Sequence, residues 1–176
     1  MRKFLWLALA VSLLGITAQA QEVPAVDATA GYSFFRVTGS GGLNLNGVSG
    51  SAAYNLNNWL GLVGDFGVYH GSPSGVGVTA STFTFGPRFS YRASEKMTPF
   101  VEALFGGAHL SASFGGFGAS STPFAYGFGG GTDLALGGSG HVSLRPEVDY
   151  FGLRSNGSTS NAIRISGAIV FHLGQR

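Results

Sequence analysis

Apolar and polar residues alternate along most of the chain. The clearest stretch is Thr82 to Arg92, where Phe83, Phe85, Pro87, Phe89 and Tyr91 share one face and Thr82, Thr84, Gly86, Arg88 and Ser90 share the other. His141 to Tyr150 repeats the design, with Val142, Leu144, Pro146, Val148 and Tyr150 opposite Ser143, Arg145, Glu147 and Asp149. A period of two residues is the signature of a strand with two unlike faces. Eight such segments are predicted: Val26–Val37, Leu43–Leu56, Trp59–His70, Val78–Arg92, Thr98–Ser111, Thr122–Leu136, His141–Arg154 and Asn161–Leu173. Short connections at Asn57-Asn58, Ala93–Met97 and Gly137–Gly140 alternate with Gly/Ser-rich ones at Thr38–Gly42, Gly71–Gly77, Ala112–Ser121 and Ser155–Ser160. That layout predicts an all-β fold, an eight-stranded antiparallel up-and-down barrel with both termini on one side. Pro87, Pro123 and Pro146 fall inside the strand patterns, and each is expected to mark a bulge, a strand end or a gap in the ladder.

The first twenty residues break the pattern. Met1-Arg2-Lys3 is basic, Phe4 to Leu14 is apolar, and Ala18-Gln19-Ala20 is a small-x-small site. These are the three regions of a secretory signal peptide, and the apolar run is too short to span a bilayer. The expected division is a cleaved leader over residues 1–20 and a barrel domain over 21–176.

Composition then decides which way the barrel faces. Only 10% of the 176 residues are charged, 30 are glycine and none is cysteine. The formal charge of +2 disappears with Arg2 and Lys3, so the mature chain is neutral. This excludes a disulfide scaffold, a lipid-modified cysteine and a basic surface for nucleic acid. A soluble barrel would place its apolar face inward and many charges outward. Here the apolar face carries the large aromatics, and the other face carries Gly, Ser, Thr, Ala and a few charges. An outward apolar face and a polar lumen describe a barrel in a membrane. With hairpins centred on their connections, Arg88 falls opposite Glu102, Asp133 opposite Arg145, and Asp149 opposite Arg164. Asp65 and Glu147 share the same face. These eight residues form the expected lumen network, because charges sealed in a narrow interior need partners.

Gly31-Tyr32-Ser33, Leu56 to Phe66, Gly86-Pro87-Arg88-Phe89, Gly129 to Asp133 and Arg145 to Tyr150 together resemble the small eight-stranded outer-membrane barrels of Gram-negative bacteria, the OmpA-type transmembrane domain and its single-domain relatives. The resemblance implies an integral outer-membrane location with periplasmic termini. It also implies a lumen salt-bridge network, a role matched here by Asp65, Arg88, Glu102, Arg145, Glu147 and Arg164. The implied partners are outer-membrane lipid or lipopolysaccharide and the barrel-assembly machinery. Two departures stand out: no peptidoglycan-binding domain follows, and the last strand ends Phe171-His172-Leu173-Gly174-Gln175-Arg176 rather than on an aromatic.

Chemistry is sparse. His109-Leu110-Ser111 resembles the His-x-Ser element of lipid A deacylases, but no acid follows nearby and Ala112 stands where Asn is usual. Gly127 to Gly131 lacks the βαβ context of a dinucleotide loop. His70, His141 and His172 show no metal-ligand spacing, and Asn156-Gly157-Ser158 reads as a surface loop. The expectation is a non-enzymatic, monomeric, surface-presenting barrel with a plugged polar lumen and no catalytic residue, cofactor or metal. A small-solute or ion pore, the His109/Ser111 esterase and adhesion through the loops are the alternatives.

Overall fold

The protein is described by a computed structural model that covers residues 23–38, 42–94, 96–115, 117–137, 140–155 and 157–175. The expected leader lies outside these residues. Nine strands follow in order: β1 (Pro24–Thr38), β2 (Leu43–Asn55), β3 (Leu60–Gly71), β4 (Gly77–Ser90), β5 (Met97–Phe114), β6 (Phe117–Ser121), β7 (Phe124–Ala135), β8 (Val142–Ser155) and β9 (Ser158–Gln175). Every neighbour pairs antiparallel, and β9 returns to β1, so the sheet closes. β6 and β7 are two parts of one stave, both paired to β5 and separated at Thr122-Pro123. The result is an eight-stave up-and-down barrel. Among the described residues, no helix is long and apolar enough to cross a membrane.

The registers fix the shape. Lateral pairs lead from Ala28 through Ala52, Gly64, Phe85, Phe105, Tyr126, Gly152 and Asn161 back to β1 at Thr38, ten residues further along. A stagger of ten over eight strands tilts the staves by about 40° to the barrel axis. Parity then sorts the side chains. Leu62, Phe66, Phe85, Phe89, Val101, Phe128, Val148 and Ile165 point outward and are exposed, while Asp65, Arg88, Glu102, Asp149 and Arg164 point inward and are buried. Tyr54, Trp59 and Tyr91 lie outward near the end that carries the termini, with Trp59 stacked on Phe89 at 5.9 Å. Amphipathic rings at that height suit a membrane–water boundary.

Three expectations are corrected. The Ala112–Ser121 connection is a β-hairpin, because β5 runs on to Phe114 and pairs with β6 around Gly115, whose φ is 57°. The Ser155–Ser160 connection is a two-residue turn, since Ser155 pairs with Ser158 and Gly157 takes a φ of 83°. Short and long connections therefore do not alternate as regularly as the composition suggested. Polar Gly/Ser composition does not separate a loop from a strand whose polar side has little to bury. The prolines behave as expected, each marking a gap in the ladder or a strand end. Pairing lapses beside Pro87 on the β5 side and beside Pro146 on the β7 side, yet the register is the same on either side of each lapse. Only Pro123 divides a stave. Finally, the lumen is not uniformly polar, as described below.

Glycine sets how closely the staves approach. A Cβ at Gly47 would collide with the Val68 carbonyl oxygen and with Tyr69 Cα. These are backbone atoms that no rotamer change can move aside. Gly47→Val is expected to cost about 1–3 kcal/mol through overpacking. The check is the urea midpoint of the refolded protein in detergent, with Gly64→Val, whose Cβ would meet nothing within 4 Å, as the tolerated control.

Candidate functional site

The barrel interior holds the polar chemistry, in layers set by the registers. At the end carrying the termini, Asp27 on β1 lies directly opposite His172 on β9. Asp27 Oδ1 is 2.6 Å from His172 Nδ1, and His172 Nε2 is 2.8 Å from Ser143 Oγ on β8. Asn55 Nδ2 donates to Asp27 Oδ2 at 2.9 Å, and Arg92 Nη2 reaches the same oxygen at 3.3 Å. The order serine, imidazole, carboxylate is that of a hydrolase triad. Here, however, Ser143 is buried between paired strands, with Ala135 on one side and Val170 on the other. Strand ladders engage the surrounding backbone N–H groups and leave no hole for an oxyanion. The chain of contacts is a clasp across the seam where the barrel closes.

Next comes the charged belt. Arg145 grips Asp133 with two parallel bonds, from Nε at 2.5 Å and Nη2 at 2.7 Å, and extends Nη1 to Thr29. Arg88 Nε donates to Glu102 Oε2 at 2.7 Å. Phe100 sits between the two cations, its ring centroid 4.5 Å from the Arg88 guanidinium carbon and 4.6 Å from that of Arg145. A ring face turned to each guanidinium satisfies both electrostatically. Deeper in, Arg164 holds three carboxylates: Asp65 at 2.7 Å, Asp149 at 2.7 Å and Glu147 at 3.1 Å. Its side chain is fully buried. The structure thus places all eight sequence-selected residues inside the barrel. It groups Arg88 with Glu102, Asp133 with Arg145, and Asp65, Glu147 and Asp149 around Arg164.

Beyond Arg164 the interior turns apolar. Tyr69 joins the two regions, its hydroxyl accepting from Arg164 Nη1 at 3.3 Å and its ring stacking on Phe35 at 4.7 Å. Phe151 packs on Phe35 at 6.1 Å, and the Arg164 guanidinium lies over the Phe151 ring at 5.3 Å. Leu45, Leu104, Leu153, Ala80, Ala108, Ala125 and Ala162 fill the rest, with Val37, Leu43, Val78 and Leu110 against them. This corrects the expectation of a lumen lined by Gly, Ser, Thr, Ala and a few charges, with the rings all facing outward. The opposing end of the barrel has a conventional hydrophobic core, buried as in a soluble protein. Phe100 shares parity with Glu102, and Tyr69 with Asp65, so the inward rings were available to the alternation rule. The clasp pairs Asp27 with His172 across 145 residues, and no local pattern carries that information.

His109 and Ser111 do not meet. Both lie near the outer rim, where His109 Nδ1 bonds Thr122 Oγ1 at 2.9 Å and Ser111 sits beside Thr79 and Ser120. His70 makes a matching 2.9 Å bond to Thr79.

A closed barrel with an outward apolar belt and buried ion pairs defines a transmembrane β-barrel, since only closure satisfies the backbone in hydrocarbon. Residues 6–171 match the outer membrane protein beta-barrel domain family, and the chain belongs to it. It is therefore an integral protein of the bacterial outer membrane. Among solved structures, Neisserial surface protein A is similar over 85% of this chain and 97% of its own, at 16% identity and a TM-score of 0.72. Ail, the attachment invasion locus protein of Yersinia pestis, matches over 85% and 99%, at 19% identity and 0.60. The N-terminal barrel domain of Pseudomonas aeruginosa OprF matches over 86% and 100%, at 14% identity and 0.59. These similarities report the fold. No curated protein matches in sequence.

Arg164→Met is expected to destabilise the barrel by about 3–5 kcal/mol, because it leaves three carboxylates without their cation. Phe100→Leu keeps the volume class but removes both ring contacts, and about 1–2 kcal/mol is expected from the cation–π loss and imperfect repacking. Urea unfolding of detergent-refolded protein, followed by tryptophan emission, measures both.

Proposed function

We propose that this protein is a non-enzymatic structural barrel that anchors a patch of outer membrane, presents its hairpins outward and keeps its lumen closed. The supporting observation is the filled interior. Going inward from the termini, the path meets the Asp27 clasp, then Phe100 between Arg88 and Arg145, then Arg164 with its three carboxylates, then the Phe35–Tyr69–Phe151 stack. An eight-stranded barrel has an interior just wide enough for side chains. Large residues at successive levels leave no continuous aqueous path. The same reading disfavours a pore, and the bond of His109 to Thr122 rather than to Ser111 disfavours the esterase. The protein acts as a monomer, embedded in outer-membrane lipid, after insertion by the barrel-assembly machinery. The mature neutral charge gives nucleic acid nothing to bind.

Planar-bilayer recording tests the closed lumen. The wild-type barrel is expected to show no steady conductance. A Tyr69→Ala/Phe151→Ala double variant that still runs as a folded, heat-modifiable species is expected to admit brief openings through the thinned apolar level. Large, steady wild-type currents would refute the reading.

A further inference from the structure

We propose that the barrel interior binds one calcium ion between Glu102, Glu147 and Asp149. The site rests on the closed lumen described above but on a different property of it, its charge balance. Five carboxylates, Asp65, Glu102, Asp133, Glu147 and Asp149, are buried in the belt, against three guanidiniums, Arg88, Arg145 and Arg164. Asp27 and Arg92 balance each other at the end of the barrel. The belt therefore carries two formal negative charges in excess, in surroundings that screen poorly, where uncompensated charge is very costly. One divalent cation closes that balance.

Geometry selects the place. Carboxylate oxygens of Glu102, Glu147 and Asp149 lie within 4.8 Å of one another. Each carboxylate is tied to a guanidinium through one oxygen: Glu102 Oε2 to Arg88, Asp149 Oδ2 and Glu147 Oε1 to Arg164. The second oxygens of Glu102 and Asp149, Oε1 and Oδ1, are fully buried and have no hydrogen-bond partner. Two carboxylate oxygens buried without a donor, beside a third carboxylate, form a ligand set suited to a cation.

The spacing favours calcium over magnesium. Oxygens up to 4.8 Å apart each reach a common centre at the calcium bond length of about 2.3–2.6 Å. Magnesium needs about 2.0–2.1 Å, strict octahedral geometry and most of its own waters, which a packed lumen does not accommodate. The ion is a structural one. It enters while the barrel assembles and thereafter cross-links β5 to β8.

The test uses the mature chain, freed of metal in denaturant and then refolded in detergent with either calcium or chelator present. Bound calcium, read by atomic emission, is expected at about one ion per chain, and chelator is expected to lower the melting temperature of heat-modifiable migration. Glu102→Gln and Asp149→Asn are expected to weaken binding by at least about tenfold and to abolish the chelator effect. Wild-type protein without stoichiometric calcium overturns the proposal and assigns the excess charge to bound protons. So does a folded Glu102→Gln or Asp149→Asn variant that retains the ion. Where a variant does not fold, the calcium content and chelator response of the wild type decide alone. Bilayer conductance is read separately, so an open lumen and an absent ion are distinguishable results.

Discussion

Closure of the hydrogen-bond ladder is the constraint on which everything else here depends. In hydrocarbon no water serves a free N–H or C=O, so an open sheet edge is forbidden and β9 must find β1. Closure in turn fixes tilt, and tilt fixes a narrow interior. A stagger of ten in eight staves leaves a lumen that side chains must fill. The contents of the interior are a consequence of the wall. Gly47 and Gly129 sit where a Cβ would strike a neighbouring strand's backbone or the Asp149 carboxylate. Arginines span the width that remains.

Within that space electrostatics and packing divide the work by height. The belt of Arg88, Arg145 and Arg164 binds carboxylates from four staves, β3, β5, β7 and β8, with the arginines on β4, β8 and β9 completing the circuit. Arg164 alone ties β9 to β3 across the lumen. Phe100 turns what would be a repulsive pair of guanidiniums into two attractive ring contacts. Above the belt, Phe35, Tyr69 and Phe151 make a small conventional core. Tyr69 belongs to both regions, with its ring among apolar neighbours and its hydroxyl on Arg164.

Most of this was legible in the sequence because alternation assigns faces before register is known. Parity alone places Arg88, Glu102, Asp149 and Arg164 inside, and centring the hairpin on its connection sets Arg88 against Glu102. Two kinds of information were not legible. Loop and strand look alike in Gly/Ser-rich segments, so composition does not distinguish the β5–β6 hairpin from a loop. Contacts across the seam and across the lumen join residues far apart in the chain, as with Asp27 and His172 or Asp65 and Arg164. No local pattern encodes them. The inward aromatics lie between. Parity places Phe100 and Tyr69 inside, but the expectation that rings face lipid hides them.

The clasp also bears on the order of assembly. Asp27 is among the first residues of the barrel and His172 among the last, with Ser143 supplied by the stave before. Because the chain between residues 145 positions apart must be ordered before that contact, it forms late, in the slow regime of non-local pairing. Until then Asp27 has Asn55 and Arg92 on one oxygen and nothing on the other. An unfinished barrel is thus marked by a half-satisfied charge at its open seam, and only the correct last strand, in the correct register, removes it.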